Sequence, residues 1–246
     1  MSKKTPMSEA EVLEKIRQVR ESGADELDFY KSNLTALPAE IGTLTRITKL
    51  CISYTQVTTL PPEIGQLSQL RELWIDEAKL TEVPPEIGQL KSLTLLVLSS
   101  NQLTKLPPEI GQLSQLAVAC LNDNKLTSLP AGIAGLENIV SIDLSENEFA
   151  TLPDELCQLK TLQTLDLSRN QLTTLPADFG KLKKMRDLDI QGNPITDDVV
   201  PILQKLSKRS SILLQARRTM LSEEAVEAIQ KALPKLGLIH NYTLRK

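Results

Sequence analysis

Aromatic residues are scarce in this sequence of 246 residues, at 3%, although 41% of the residues are hydrophobic. The core of a globular domain usually draws on Phe, Tyr and Trp, so this core must be built mainly from Leu and Ile. Such a uniform composition favours a regular stack of equivalent positions over an irregularly packed interior.

Histidine and cysteine are also rare, which limits the chemistry that the chain can perform. The one histidine, His240, lies in the terminal segment, so catalysis by Ser or Cys with a His base has little support. The cysteines Cys51, Cys120 and Cys157 are odd in number, widely spaced and without a CxxC pair. Neither a disulfide scaffold nor a zinc site is indicated, and we expect no cofactor and no metal.

A long apolar run is missing at the N-terminus, where the segment MSKKTPMSEAEVLEKIRQ is charged and amphipathic. An export signal needs an apolar stretch at this place, and a membrane-spanning helix needs a longer one. We therefore expect a cytoplasmic protein that does not cross a membrane, with delivery by a leaderless secretion pathway as the alternative.

The net charge of -3 hides an asymmetry along the chain. Residues 1–200 contain 19 Lys and Arg against 28 Asp and Glu, whereas residues 201–246 contain 9 against 3. The basic tail carries neither interleaved aromatics nor a nucleic-acid motif, so we interpret it as a solvated surface and expect no nucleic-acid partner. Contact with an acidic partner is the alternative for this tail.

A repeat of 23 residues dominates the sequence. Eight repeats begin at Ala24, Ile47, Leu70, Leu93, Leu116, Ile139, Leu162 and Met185. Each resembles LTLLVLSSNQLTKLPPEIGQL, the segment from Leu93 to Leu113. Alternating apolar residues in its first half predict a strand, and the prolines that follow predict a short helical or 3₁₀ turn.

The pattern LxxLxLxxNxL resembles the leucine-rich-repeat family, and the segment LPxEIGxL is similar to its bacterial and plant Ras-group-like subclass. The resemblance covers residues 24–195 and implies an α/β solenoid shaped as a curved horseshoe. A parallel β-sheet would form the concave face, and short helical or 3₁₀ turns would form the convex face. The resemblance says little about the partner, because one fold hosts many ligands.

The ninth position of the repeat is predicted to stabilise the stack. An asparagine amide there can bond backbone groups of adjacent repeats that would otherwise be buried without partners. The later repeats carry this structural ladder as Asn101, Asn124, Asn147, Asn170 and Asn193. The first three repeats hold Ser32, Thr55 and Ala78 instead, and we expect a water or a loose loop at Ala78 because it has no polar group.

Both ends of the solenoid are expected to be covered. Residues 1–23 are predicted to form a helical cap that starts with a capping box of Ser8 and Glu11; a partner-binding helix is the alternative. Residues 196–246 are predicted to be a degenerate repeat and a ribonuclease-inhibitor-like cap with two full helices, N-capped by Asp197 and Ser222. Residues 24–195 form the repeats between them, so the chain reads as one continuous solenoid domain.

The concave face is where functional information can reside, because the repeat determines the core positions. One outward column is predicted to run Asp28, Cys51, Trp74, Val97, Cys120, Asp143, Asp166 and Asp189. We expect its middle part to form an apolar, protein-binding surface centred on Trp74. The predicted site consists of Tyr30, Cys51, Tyr54, Trp74, Leu95, Val97, Val118 and Cys120, with Arg71, Glu72 and Asp76 at its rim. Local packing of the indole is the alternative, and Asp143, Asp166 and Asp189 form a secondary acidic surface suited to a basic peptide.

The sequence therefore predicts a monomeric, non-catalytic protein-binding module: an adaptor, scaffold or inhibitor. The resemblance suggests two further readings, a leaderless effector delivered to a host cell and a detached regulatory module of a Roco-type GTPase. No GxxxxGK[ST] loop is present, and no cysteine is followed by the Cys-Xaa-Asp pattern of effector ubiquitin ligases. We therefore expect no enzymatic activity.

Overall fold

Ten short strands form one parallel sheet, in chain order, in the computed structural model, which describes residues 6–206 and 212–239. The strands are β1 Glu26–Asp28, β2 Lys49–Cys51, β3 Glu72–Trp74, β4 Leu95–Val97, β5 Val118–Cys120, β6 Ser141–Asp143, β7 Thr164–Asp166, β8 Asp187–Asp189, β9 Ile212–Gln215 and β10 Leu236–Ile239. Each strand comes from one repeat, so a crossover connects every neighbouring pair and makes the pairing parallel. The predicted leucine-rich-repeat solenoid is confirmed.

Short 3₁₀ helices occupy the opposite side of each repeat. They are η1 Ala39–Thr43, η2 Pro62–Gln66, η3 Pro85–Gln89, η4 Pro108–Gln112, η5 Ala131–Gly135, η6 Asp154–Gln158, η7 Phe179–Lys181 and η8 Asp197–Val199. In η1 to η6, proline just before or at the first helical position ends the extended segment, and its missing N–H is not needed there. At η4 the backbones approach closely, since a Cβ on Gly111 would lie 1.7 Å from the carbonyl oxygen of Gly132.

Leucine and isoleucine fill the core, as the composition predicts. The middle residue of each three-residue strand is buried, for example Leu73 and Leu96, while its neighbours point to the concave face. The three phenylalanines, Phe29, Phe149 and Phe179, are also fully buried. Each such side chain stabilises the fold by roughly 1.5–3 kcal/mol, and the stack repeats this contribution in every turn.

The asparagine ladder is a set of buried bonds between repeats. The Asn124 amide donates to the carbonyl oxygens of Leu98 and Leu121 at 2.9 and 3.1 Å, and its oxygen accepts from the Leu103 N–H at 3.0 Å. The same bonds recur at Asn101, Asn147, Asn170 and Asn193. Each amide thus satisfies backbone groups of two successive repeats.

The break in the ladder at Ala78 is bridged from both sides. Thr55 Oγ1 donates to the Ile52 carbonyl at 2.7 Å, and Asn101 donates to the Ile75 carbonyl at 2.6 Å. Those are the two carbonyls that an asparagine at position 78 would have reached. Only the Val57 N–H has a weak hydrogen bond, since Thr55 Oγ1 accepts it at 3.5 Å. The structure therefore gives little reason for the expected loose loop.

Helix α1, Glu9–Ser22, precedes the first strand and begins as predicted. Ser8 is its N-cap, and the Ser8 side chain and Glu11 form a capping box. Val12 and Ile16 are buried in the same core as the first repeats. The left-handed conformation of Gly23, with φ of 69°, ends the helix.

The C-terminal repeats differ from the prediction in one respect. The segment expected to form a first full helix is η8 followed by the short α2, Val200–Leu203, and the N-cap of η8 is Thr196. Asp197 lies inside η8 and accepts hydrogen bonds from the Ser222 N–H and hydroxyl at 2.9 and 2.7 Å. The Asp197 carboxylate thus bonds the next repeat, and within the described chain no side-chain hydrogen bond caps η8. Ser222 does cap the longer helix α3, Glu223–Ala232.

The register shows where the repeat length changes. Neighbouring strands pair 23 residues apart from β1 to β8, as in Leu50 with Leu73, whereas Asp187 of β8 pairs with Leu213 of β9, a step of 26. β10 pairs with β9 as the last described strand, and residues 240–246, which include His240, lie outside the described residues. In the part of the chain that the structure describes, no helix combines the length and the apolar character needed to cross a membrane.

Candidate protein-binding surface

The predicted concave column is present, residue by residue. The strand register aligns Asp28, Cys51, Trp74, Val97, Cys120, Asp143, Asp166 and Asp189 side by side. A second outward column, two residues earlier, contains Glu26, Lys49, Glu72, Leu95, Val118, Ser141, Thr164 and Asp187. Leu95 and Val118 therefore lie beside the first column, as predicted.

The aspartates of the first column have a structural role that sequence reasoning missed. Asp143, Asp166 and Asp189 each accept a hydrogen bond from the backbone N–H two residues further on, at 2.8–3.0 Å. Asp28 does the same for Tyr30 at 2.7 Å. These carboxylates stabilise the turn that follows each strand. The aspartates at both ends of the column therefore have a structural role.

The aspartates of β6 and β8 are also more buried than a water-facing column would require. Asp189 is only 7% exposed. Burial raises the pKa of Asp143 and Asp189, neighbouring carboxylates raise it further, and the bonds from Ser145 and Gln191 partly oppose this effect. The acidic end of the column thus contains neighbouring carboxylates whose ionised forms repel one another.

The aromatic residues divide sharply between the core and the concave face. Every phenylalanine is buried, whereas Tyr30, Tyr54 and Trp74 converge on one open depression of about 420 Å³. Tyr242 lies outside the described residues. The charged residues Glu26, Asp28, Lys49 and Asp76 also line this space, which we call the aromatic depression. It lies on β1 to β3 and the turns that follow them.

Trp74 is held at the surface by polar contacts. Its indole N–H donates to the Glu72 carboxylate at 3.0 Å, and the Lys49 ammonium lies 5.9 Å from the ring centroid. Lys49 and Glu72 are themselves 3.9 Å apart. The indole is partly exposed and lines the depression, so it is neither a core residue nor hidden below a loop of the described chain.

The two tyrosines also line the depression. Their rings meet edge to face, with centroids 5.3 Å apart and an interplanar angle of 74°. The Lys31 ammonium lies 4.9 Å from the Tyr30 centroid and 5.2 Å from that of Tyr54. A hydrogen bond to Glu77, followed by the charge of that carboxylate, raises the pKa of the Tyr54 hydroxyl. Both rings remain substantially exposed, at 49% and 38%.

The apolar surface is smaller than predicted and lies nearer to the N-terminus. Val97 is only 7% exposed and belongs to the buried residues, because the apolar positions of β4 pack among their neighbours. Leu95, Val118 and Cys120 are partly buried. The exposed aromatic surface is therefore on the first three repeats, and the expected centre on the second to fifth repeats needs this correction.

The rim residues occupy different places. Asp76 lines the depression and exchanges hydrogen bonds with the Ser53 hydroxyl, while Glu72 holds the indole. Arg71 precedes β3 and is exposed. The thiols Cys51 and Cys120 are free, and partial burial is the main cause that raises their pKa, so they are poor nucleophiles at neutral pH.

A column of left-handed residues is a second feature that the sequence analysis missed. Lys31, Tyr54, Glu77 and Ser100 have positive φ, and so have the equivalent residues of the later repeats. The only hint in the sequence was Gly192, which occupies this position in the eighth repeat. Tyr54 adopts this conformation although bulky residues rarely do, because the repeat imposes it on whichever residue occupies this position.

Comparison with known proteins supports the assignment of the fold. Two family models match: one described as a leucine-rich repeat region at residues 63–147, and one described as a leucine rich repeat at residues 137–195. Together with the parallel sheet, these matches show that the chain belongs to the leucine-rich-repeat family. A comparison with curated proteins gave no match.

Two solved structures are similar to the chain. One is the plant peptide hormone receptor RGFR1 in complex with RGF2, which is 27% identical with a TM-score of 0.69. The match covers 87% of this chain but only 37% of the receptor chain. The other is a leucine-rich-repeat protein of Leptospira interrogans, which is 26% identical with a TM-score of 0.34 and matches 85% of this chain and 82% of that one. Domains of this family commonly mediate protein–protein binding.

Proposed function

We propose that this chain is a non-catalytic adaptor, scaffold or inhibitor that holds a partner protein on the concave face of its N-terminal repeats. The observation that carries the proposal is the aromatic depression. Tyr30, Tyr54 and Trp74 are gathered at one open place of a protein that buries all its phenylalanines. Exposed aromatic rings beside charged groups are the composition expected of a binding hot spot.

The similarity to a receptor solved with a peptide hormone supports binding of a polypeptide. We further propose that the protein acts as a monomer in the cytoplasm, without nucleic acid or membrane. Delivery to a host cell as a leaderless effector and regulation of a Roco-type GTPase are the alternatives. Detection of the protein in culture supernatant or in an infected cell would favour the first alternative.

The test is capture of partners from the native cell by immobilised wild-type protein and by the variant Trp74→Ala. Truncating a central hot-spot residue costs about 2 kcal/mol, so we expect the affinity for the specific partner to fall about thirtyfold and its recovery at low bait concentration to fall with it. Thr104→Ala, at an exposed residue of the fourth repeat outside both outward columns, is the control and should leave recovery unchanged. Circular dichroism and melting curves establish that both variants are folded.

Unchanged recovery with folded Trp74→Ala would contradict the proposed site. Val97→Glu is unsuitable as a second test, because that side chain is buried and the variant would be destabilised for structural reasons. Tyr30→Ala is the better choice, since 49% of this residue is exposed.

A further inference from the structure

The aromatic depression is predominantly acidic. Glu26, Asp28 and Asp76 line it, against the single lysine Lys49 among its lining residues. Asp28 and Asp76 already bond a backbone N–H and a serine hydroxyl, respectively, which hold their carboxylates in place. A partner group that enters the space therefore meets preorganised negative charge beside aromatic rings.

The aromatic rings already accept cations from the chain itself. The Lys31 ammonium lies within 5.2 Å of both tyrosine centroids, and the Lys49 ammonium lies 5.9 Å from the indole centroid. Ammonium groups in these positions are attracted by the negative faces of the rings. Both lysines are at the surface and have flexible side chains. A cation of the partner can therefore displace their ammonium groups from the faces of the rings.

The concave face beyond the depression is also mainly acidic. In the two outward columns of β1 to β8, seven residues are acidic and one is basic. Within the described residues, the only ion pair formed by these columns is that of Lys49 with Glu72. Asp143, Asp166 and Asp189 thus leave a negative field along the sheet, and burial with mutual repulsion raises the pKa of the first and the last of them.

We infer that the concave face takes a basic peptide segment of the partner protein, with one Arg or Lys side chain inserted into the aromatic depression between Trp74 and the Tyr30–Tyr54 pair. This rests on the proposed function and specifies the chemistry of its partner. From β3 to β8 the face extends about 24 Å at the usual strand spacing. An extended segment of about seven residues covers that distance.

The direct test measures binding of defined peptides to the full chain by fluorescence anisotropy. The probes are labelled peptides of about eight residues that alternate Arg, Lys or Glu with Ser. We expect the Arg peptide to bind, because guanidinium both stacks on rings and pairs with carboxylates, the Lys peptide to bind more weakly, and the Glu peptide not to bind. Affinity should fall as salt is added.

Charge variants of the depression locate the interaction. The double variant Asp28→Asn and Asp76→Asn keeps the hydrogen-bond acceptors but removes two charges, and it should weaken the Arg peptide about tenfold. Glu63→Gln with Glu86→Gln is the matched control, because it removes two charges from the convex helices η2 and η3 of nearby repeats. The control should change affinity less than about twofold.

Removal of the internal cation should have the opposite effect. Lys49→Gln is expected to strengthen binding of the Arg peptide about threefold, because the indole face and Glu72 become available to it. Lys105→Gln, at an exposed site of the fourth repeat, makes the same change in net charge and serves as control. A merely structural role of Lys49 would produce no gain in affinity.

Three results would overturn the inference: no binding of the Arg peptide, equal binding of the Glu peptide, or equal weakening by the concave and convex charge variants. The proposed function is tested separately by the native partner. If Trp74→Ala abolishes its capture while the Arg peptide does not bind, the surface is correct and the basic chemistry is wrong. If Trp74→Ala leaves the capture intact, the surface itself is wrong.

Discussion

The first three of the eight 23-residue repeats differ from the last five in the hydrogen bonds that join neighbouring repeats. From Asn101 onward, every repeat to the eighth has a buried asparagine that bonds backbone groups of two repeats. The first three have Ser32, Thr55 and Ala78 at that position, and the Ser32 hydroxyl is buried without a hydrogen-bond partner among the described residues. The early repeats therefore have the weaker set of bonds between turns.

The concave column shows a related difference. Its aspartates in β6 to β8 bond the following turn, whereas β2 and β3 have Cys51 and Trp74 at the same position. Both stabilising devices are missing together only in the second and third repeats, where Tyr54 and Trp74 line the depression. The two repeats that lack both stabilising devices are thus the ones that carry Tyr54 and Trp74, in keeping with the proposed binding surface.

The largest expected effect comes from breaking the ladder in the later repeats. Asn147→Ala removes donors to the Leu121 and Leu144 carbonyls and an acceptor of the Leu126 N–H. Because the Leu126 N–H then stays buried without a partner, and each carbonyl keeps only the bond from Asn124 or Asn170, the free energy of unfolding should fall by about 2–3 kcal/mol. Urea denaturation measures this. A loss smaller than that of Thr55→Ala would contradict the proposed difference between the two regions.

A smaller effect of opposite sign is expected from extending the ladder into the early repeats. Ala78→Asn would offer an acceptor to the Val57 N–H and a donor to neighbouring carbonyls, so stability should rise by about 1 kcal/mol. Lys79→Asn, at the adjacent exposed residue, is the control. Hydrogen exchange at Val57 should slow in Ala78→Asn alone, and destabilisation would mean that the neighbouring Thr55 leaves no room for the amide.

The smallest effect concerns the acidic end of the column and depends on pH. Burial raises the folded-state pKa of Asp143, so its ionised form is penalised in the fold, and stability is lost as pH rises through that pKa. Asp143→Asn keeps an acceptor for the Ser145 N–H and should raise the urea midpoint at about pH 7. The gain should vanish at about pH 3, where wild-type Asp143 is protonated. An equal gain at both pH values would show that charge is not the cause, and Glu109→Gln on η4 controls for the net charge.

The fold could be predicted from the sequence to a large extent, because equivalent residues of successive repeats are the ones that contact each other. Once one repeat is read as a strand followed by a 3₁₀ turn, the spacing of 23 residues determines the register of seven strand pairs. The prediction failed where this regularity ends, at Asp197, since its carboxylate bonds a residue of the following repeat. Such a contact leaves no local trace in the sequence.

The candidate site could be predicted only in part. Trp74 and the tyrosines were identified because they depart from the repeat, but Val97 departs from it as well and is buried. An outward position of a short strand can still be covered by its neighbours on a curved sheet. The structural bonds of Asp143 and Asp166, and the left-handed backbone at Tyr54, also escaped the pattern.

The strand order, the buried leucines and isoleucines, and the columns of residues on the concave face could all be predicted, because they follow from periodicity alone. Three-dimensional packing determines which outward side chains reach solvent. It also brings Tyr30, Tyr54 and Trp74 to one acidic depression, with the Lys31 and Lys49 ammonium groups beside their rings. The physical reason is that periodicity assigns a side chain to a face, whereas exposure and charge contacts depend on the side chains beside it in neighbouring repeats.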